Sequence, residues 1–76
     1  MKSILIIGLG RFGRHLCRKF MSLKNEVMIV DRDEAAVTAL ADEVTSAQIA
    51  DCTDENALRA LGVKNFDICF VCIGSD

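Results

Sequence analysis

Four apolar runs alternate along the chain with three segments in which apolar residues recur at helical spacing. The apolar runs span residues 4–7, 27–30, 47–50, where Gln48 interrupts the run, and 68–73. Short continuous apolar runs are typical of strands buried on both faces of a parallel sheet. The pattern therefore predicts the element order β-α-β-α-β-α-β.

The three intervening segments carry signals for where helices begin and end. The expected starts are Phe12, residues 33–34 and Thr53, and the expected ends are Asn25 and Gly62. Acidic residues suit the positive N-terminus of a helix, Thr is a common cap there, and Gly or Asn commonly follows the last turn. The positions expected to face the core are Leu16, Phe20, Leu23, Val37, Leu40, Ala41, Val44, Leu58 and Leu61.

Strands that alternate with helices in this way form a parallel sheet, because each crossover is right-handed and lays its helix on a face of the sheet. The predicted fold class is therefore α/β, half of a doubly wound parallel sheet with the strand order 3-2-1-4 and crossover helices. In this order the apolar run 68–73 lies at an edge of the sheet. Since an apolar edge strand needs a neighbour, we expect the chain either to be the N-terminal portion of a longer protein or to pair with a second copy.

Length and composition limit the chain to one small folded domain. Its 76 residues are 51% hydrophobic and 26% charged and contain no Pro, which is typical of a folding chain rather than a disordered one. The formal net charge of -2 argues against a protein that binds nucleic acid through its charge. The first 30 residues are nevertheless basic, with six Lys or Arg against one Glu, so positive charge is concentrated around the first predicted helix.

The sequence predicts an intracellular protein. No apolar run approaches the roughly 18 residues that a membrane-spanning helix needs, and the apolar start lacks a signal-peptide cleavage pattern. The four Cys, at positions 17, 52, 69 and 72, have apolar neighbours, and a reducing compartment would keep them as thiols. We therefore expect no direct membrane insertion and no disulfide framework.

The segment that joins the first strand to the first helix matches the pattern G-x-G-x-x-G through Gly8, Gly10 and Gly13. In a turn of this type the first Gly permits the tight bend, the second lets the backbone approach a diphosphate, and the third lets the helix pack near the strand. The N–H groups of the first helical turn then face the anion. Arg11 is placed to add charge-assisted bonds to phosphate. Phe12 belongs to the same loop, although its helical spacing predicts a core position.

A carboxylate at the end of the second strand strengthens this interpretation. Asp31 follows Gly13 by 18 residues, a position from which a carboxylate can accept hydrogen bonds from both hydroxyls of a ribose. It would also repel a 2′-phosphate and so favour an unphosphorylated ribose, whereas the positive charge of Arg32 beside it would favour the phosphate.

Two further segments follow the third and fourth strands. The first contains Asp51 and Cys52, and the second contains Ile73, Gly74 and Ser75. Because ligands bind at the carboxyl ends of the strands in an open parallel sheet, these residues are expected to line the same crevice.

Other polar signals are discounted. Cys69 and Cys72 are spaced like half of a metal site, but residues three apart in a strand point to opposite faces, and no His completes the set. His15 lies among basic residues and is expected to be an exposed helix residue rather than a catalytic base. The sequence shows no pair of carboxylates with acid and base roles, so we predict neither a metal site nor a catalytic site.

Several of these motifs together form a recognisable combination. They are residues 6–13, 30–33 and 51–54, followed by Leu58, Gly62, Val63 and residues 66–67. The combination resembles the RCK domain, also called the KTN or TrkA-N domain, over the whole chain. Because the domain of that family continues with two more strands and helices, residues 1–76 are expected to form a truncated, Rossmann-like RCK domain whose C-terminal half is absent.

The resemblance implies a regulator rather than an enzyme. In that family the domain binds NAD(H), ATP or ADP, assembles as dimers and rings, and controls potassium transport by a membrane subunit from the cytoplasmic face. The resemblance also implies a role for each site residue: a phosphate loop of Gly8, Gly10 and Gly13, phosphate contact by Arg11, ribose contact by Asp31, adenine contact by Asp51 with Cys52, and closure of the pocket by residues 73–75.

Two other functions stay open on the sequence alone. One is the cofactor-binding N-terminal fragment of an NAD-dependent dehydrogenase, whose catalytic residues would lie beyond residue 76. The other is a structural or interaction domain in which the glycine loop binds nothing.

Overall fold

The strands and helices follow one another in the predicted alternation. The structure, a computed structural model, describes residues 1–51 and 53–72. Its strands are β1 (Ser3–Ile7), β2 (Glu26–Asp31), β3 (Ser46–Ile49) and β4 (Ile68–Val71), and its α-helices are α1 (Arg11–Ser22), α2 (Glu34–Leu40) and α3 (Glu55–Ala60). All strand pairs are parallel and the order is β3-β2-β1-β4. The predicted fold class and strand order are confirmed.

The central strand is β1, and its apolar sequence explains that position. Ile6 pairs with Ile29 of β2 on one side and with Phe70 of β4 on the other. Residues 4–7 are at most 3% exposed, because successive side chains of a strand point to opposite faces and both faces of this strand are covered. A continuous apolar run is therefore what this position requires.

Helices cover both faces of the sheet. Cys17 of α1 and Leu40 of α2 pack with Ile6 on one face, and Leu61, which follows α3, packs with Leu5 on the other. The chain moves from β1 to β3 in one direction across the sheet and then returns past β1 to β4. Since crossovers are right-handed, this reversal places α3 on the face opposite α1 and α2.

The cap of α3 differs from the predicted one. Asp54, rather than Thr53, is the N-cap, since its carboxylate accepts a hydrogen bond from the backbone N–H of Asn56 at 2.9 Å. The hydroxyl of Thr53 instead donates to Asp51 at 2.6 Å. Both residue types are good caps, and the pairing of Thr53 with Asp51 leaves the role to Asp54.

The ends of α1 and α3 use left-handed residues. Lys24, with φ 63, holds the position after α1 that Gly or Asn usually occupies, and the Asn25 side chain donates to the carbonyl of Phe20 at 3.3 Å. Asn25 therefore helps to close α1, as predicted, but through its side chain. Gly62 has φ 71 after the end of α3, as predicted for a helix stop.

Three predicted core positions are wrong, because Phe12, Leu23 and Ala41 are exposed. Phe12, at 52% exposure, and Leu23 lie at the two ends of α1, where fewer neighbours can cover a side chain. Ala41 begins a 3-10 helix, whose tighter turn alters the helical spacing on which the prediction relied. Phe20, in contrast, packs against Phe70 with ring centroids 5.4 Å apart.

The edge formed by β4 is apolar and poorly covered. Val71 is 68% exposed, and an open groove of about 660 Å³ runs between β4 and α3. Leu58, Val63 and Cys69 help to line this groove. The prediction of an apolar strand at the edge of the sheet is confirmed.

Candidate functional site

The loops that follow the strands lie side by side at one edge of the sheet. The backbone N–H of Gly8 donates to the carbonyl of Val30 at 2.9 Å, and the N–H of Ala50 donates to the carbonyl of Asp31 at 3.1 Å. Parallel pairing brings the carboxyl ends of strands together. Residues from distant parts of the chain are thereby gathered at the edge where ligands bind in open α/β sheets.

Two glycines hold the end of β1 against the start of α1. Gly8 has φ 95, a left-handed conformation that residues with a Cβ rarely adopt. A Cβ on Gly13 would overlap with the carbonyl oxygen of Gly8, so the helix and the turn touch through their backbones. The predicted tight turn and close packing are both present.

The N-terminus of α1 differs from those of the other two α-helices. Asp33 caps α2 and Asp54 caps α3, and each is followed by a Glu in the first turn. The N-cap of α1 is Gly10, which has no side chain, and the first turn contains no acid. Among the α-helices that the structure describes, only α1 therefore has a positive end that no acidic side chain satisfies. The exposed Arg11 begins this helix, and the local charge favours an anion.

The carboxylate of Asp31 faces the glycine loop. Its Oδ2 accepts a hydrogen bond from the backbone N–H of Leu9 at 2.8 Å, and its Oδ1 accepts one from the N–H of Asp33 at 3.0 Å. Because an ionised carboxylate offers about four acceptor sites, these two bonds leave capacity for hydroxyl donors. The structure therefore brings together the two features on which the sequence prediction depends.

Asp51 lies after β3 with a defined geometry. The hydroxyl of Thr53 donates to its carboxylate at 2.6 Å, and the backbone N–H of Thr53 does so at 3.0 Å. These two hydrogen bonds lower the pKa of Asp51, and the positive charge of Arg32 lowers it further. Asp51 is therefore a fixed, ionised acceptor on the same sheet edge, and Arg32 is close enough for its charge to act on it.

Sequence analysis missed one residue of this loop. Arg14, which lies off the apolar spacing of α1, donates from Nε to the carbonyl of Leu9 at 3.1 Å. A signal for this contact was available, because long side chains on a helix lean toward its N-terminus and cover the preceding turn. Arg14 lies four residues after Gly10 and so reaches back over the loop.

Two other candidate residues lie on the surface of the protein. Arg32 is exposed, and Phe12 is exposed next to Arg11 at the start of α1. Cys52 and residues 73–75 lie outside the described residues. Within residues 1–51 and 53–72, no group of three His, Cys, Asp or Glu side chains is placed to hold a metal ion. His15 is an exposed helix residue, as predicted.

The parallel sheet, the glycine turn and the acid at the end of β2 define a Rossmann-like α/β domain. The chain belongs to the TrkA-N domain family, whose profile matches residues 4–76. The resemblance seen in the sequence motifs is thereby confirmed over nearly the whole chain.

Curated relatives carry the same family resemblance. The chain is 43% identical over 75 residues to the Ktr system potassium uptake proteins A and C of Bacillus subtilis (strain 168), and 35% identical over 75 residues to the Ktr system potassium uptake protein A of Vibrio alginolyticus. Each alignment covers 99% of this chain and 34% of the relative. The chain therefore spans about a third of the length of these relatives.

A solved structure supports the fold alone. The N5-carboxyaminoimidazole synthetase of Staphylococcus aureus, in complex with ADP, superimposes with a TM-score of 0.74 at 24% sequence identity, over 92% of this chain and 18% of that one. In the part of the chain that the structure describes, no helix has the length and apolar character that crossing a membrane requires.

Proposed function

We propose that this chain is the nucleotide-binding part of a regulatory protein that controls potassium transport by a membrane partner. The ligand is NAD(H), ATP or ADP, and it acts as a signal rather than a substrate. The regulatory protein is a homo-oligomer, a dimer or ring, that works in the cytoplasm at the inner face of the membrane. For residues 1–76 themselves we expect neither membrane insertion nor nucleic-acid binding.

One observation carries the nucleotide part of this proposal. The carboxylate of Asp31 faces the glycine loop, and the N-terminus of α1 beside it has no side-chain cap and no acid in its first turn. A nucleotide supplies the complementary groups, since phosphate suits the amides of a helix N-terminus and ribose hydroxyls suit a carboxylate. A sugar linked to phosphate carries both of these groups in one molecule.

The remaining residues would complete the pocket around this centre. Gly10 would let the backbone approach the diphosphate, and Arg11 would add charge to it. Asp51 and Cys52 would contact the adenine, with Arg32 nearby, while residues 73–75 would close the pocket. Phe12 lies at the rim of the loop, exposed enough to contact a bound nucleotide.

The relatives favour a regulator over an enzyme. Relatives that share 43% of their aligned residues with this chain are named as potassium uptake proteins, whereas the enzyme that shares the fold does so at 24% identity. Regulation requires that the nucleotide bind two conformations of the assembly with different affinity. The dehydrogenase alternative would instead require turnover of the nicotinamide ring.

Calorimetry on the full-length protein tests the binding site. NAD, NADH, ATP and ADP are titrated into the wild-type protein and into the Asp31→Asn and Asp33→Asn variants. We expect Asp31→Asn to weaken binding by about 1.5–3 kcal/mol, the usual contribution of hydrogen bonds to a charged group. Asp33→Asn removes the same charge two residues away and keeps a good helix cap, so its affinity should remain close to that of the wild type.

The outcomes separate the three functions. If none of the four nucleotides binds the folded wild-type protein, the regulator and the dehydrogenase are both excluded and a structural domain remains. If NADH binds and is oxidised by a reducible substrate, or NAD binds and is reduced by an oxidisable one, the dehydrogenase is favoured. Binding without turnover, with equal affinity for Asp31→Asn and wild type, would contradict the placement of the ribose.

Potassium uptake tests the regulatory role. In cells whose potassium uptake depends on this system, the part of uptake that responds to nucleotide should be lost with Asp31→Asn and retained with Asp33→Asn. Uptake that is the same in both variants and in the wild type, although Asp31→Asn no longer binds nucleotide, would exclude this site as the control point.

A further inference from the structure

The peptide groups on both sides of Leu9 are held by side chains from other elements. The N–H of Leu9 donates to Asp31 at the end of β2, at 2.8 Å, and the carbonyl of Leu9 accepts from Nε of Arg14 in α1, at 3.1 Å. The Leu9 side chain is only 3% exposed and belongs to the core that α1 and α2 cover. The middle of the glycine loop is thus fixed at three points.

The carbonyl of Leu9 and the N–H of Gly10 belong to one rigid peptide group. Because that group is planar and trans, the two bonds point in opposite directions. A hydrogen bond that fixes the Leu9 oxygen therefore also fixes the direction of the Gly10 N–H. This N–H lies at the start of α1, where the proposed diphosphate would bind.

The charge of Arg14 alone gives no reason for its position. A positive charge in the first turns of a helix opposes the helix dipole and destabilises the helix. The contact with the Leu9 carbonyl offsets part of that effect in the free protein, and a bound anion would offset the rest. The position is thus consistent with a residue that serves a ligand site at some expense to helix stability.

We propose that Arg14 is a positioning residue for the phosphate loop: by holding the Leu9 carbonyl, it aims the Gly10 N–H at the nucleotide diphosphate. This inference rests on the proposed function and adds to the nucleotide site a residue that does not itself contact the ligand. Arg14 acts on the loop from α1, while Asp31 acts on it from β2.

Two matched variants of the full-length protein test this role. Arg14→Met keeps an unbranched side chain but removes the donor and the charge. Arg18→Met removes the same charge one helical turn away, at an exposed residue whose partner is Glu43 on the surface. We expect Arg14→Met to weaken ADP and NAD binding roughly tenfold, in the range of one hydrogen bond to a charged donor, and Arg18→Met to bind nearly as the wild type does.

A spectroscopic measurement separates positioning from a general effect on stability. Labelling Leu at the carbonyl carbon with ¹³C and Gly at nitrogen with ¹⁵N selects, within residues 1–76, only the Leu9–Gly10 and Leu61–Gly62 pairs. In the absence of nucleotide, Arg14→Met should shift the Leu9–Gly10 signal because the carbonyl loses its donor. The Leu61–Gly62 signal, from the residues that follow α3, should stay in place, and neither signal should move in Arg18→Met.

The results distinguish this inference from the proposed function. An unshifted Leu9–Gly10 signal in Arg14→Met, or an equal loss of affinity in Arg18→Met, would overturn the role of Arg14 while nucleotide binding by the wild type still stood. A wild-type protein that binds no nucleotide would overturn the proposed function, and with it any role of Arg14 in binding.

Discussion

At the residue scale, Gly10 and Gly13 belong to one motif but have separable tasks. A Cβ on Gly13 would meet backbone atoms of Gly8, which cannot move without displacing β1. Gly10 has φ -65 and ψ -172, a conformation open to any residue. Gly13 is therefore needed for folding, whereas Gly10 is needed only if a ligand approaches the backbone there.

Alanine substitutions should therefore separate folding from binding. Gly13→Ala is expected to lower the free energy of unfolding by about 1–3 kcal/mol, the usual effect of overpacking, as measured by urea denaturation. Gly10→Ala should change it by at most about 1 kcal/mol, since Ala is a poorer N-cap than Gly, yet should abolish nucleotide binding in calorimetry. Normal affinity in Gly10→Ala would show that no phosphate contacts this part of the loop.

Arg11 is expected to oppose helix stability in the free protein. It is the first residue of α1, where a negative charge would be favourable. Arg11→Glu should raise the free energy of unfolding by about 0.3–1 kcal/mol and should strongly weaken nucleotide binding. Lys19 lies in the last turn, so Lys19→Glu should lower stability by a similar amount and leave binding unchanged. Denaturation curves in which both substitutions act in the same direction would contradict this interpretation.

At the scale of elements, substitutions can show which residue is the N-cap of α3. The carboxylate of Asp54 accepts from Asn56, while Thr53 is engaged with Asp51. Asp54→Ala is therefore expected to lower the free energy of unfolding by about 0.5–2 kcal/mol, measured by thermal or urea denaturation. Thr53→Ala should have a smaller effect, because it breaks only an exposed contact. The reverse order would restore Thr53 as the cap.

The elements themselves were readable from the sequence, but several boundaries were not. The apolar pattern identified all four strands, yet β1, β2 and β3 each begin one residue earlier than predicted, and β4 ends at Val71, before Cys72 of the predicted run. The burial of Phe12 was mispredicted because helical spacing identifies the face of a residue and not whether the helix end is covered. Arg14 was missed because the lean of helix side chains toward the N-terminus gives its direction only, while the loop carbonyl that it meets has no side-chain signature.

At the scale of the whole molecule, the buried thiol of Cys17 should affect stability at alkaline pH. Cys17 is fully buried, and burial, together with the negative charge of Glu43, raises its pKa above the ordinary value of 9.0. The unfolded chain therefore loses this proton before the folded protein does. The contribution of this pKa difference to the free energy of unfolding is fully present below about pH 9, and it is lost as the pH rises through the pKa of Cys17 in the folded protein.

Unfolding measured between about pH 8 and about pH 11 checks this expectation, because this range lies on both sides of the ordinary pKa of a thiol. The free energy of unfolding should fall with rising pH in the wild type and fall less steeply in Cys17→Ala. The comparison uses the slope, because the smaller side chain also changes the stability at neutral pH. Equal slopes would mean that the thiol titrates alike in both states.

The overall topology was predictable because it follows from few rules. Alternating strands and helices, right-handed crossovers and a glycine turn after the first strand restrict the chain to one arrangement, and the observed order β3-β2-β1-β4 agrees with it. The orientation of Asp31 toward Leu9 could be expected only in outline, since a carboxylate at the end of β2 could also have faced solvent. Its two backbone donors fix the orientation.

The backbone contact between Gly13 and Gly8 has a mechanical consequence. With no side chain between them, α1 cannot slide toward β1, and the first turn of the helix and the tip of the central strand should behave as one solid piece. A nucleotide that binds there would contact a rigid part of the protein. In the proposed oligomer, any displacement that is transmitted to another subunit should therefore originate in the segments after β2 and β3. The first is joined to the glycine loop by the hydrogen bond from Leu9 to Asp31, and the second is joined to Asp31 by the N–H of Ala50.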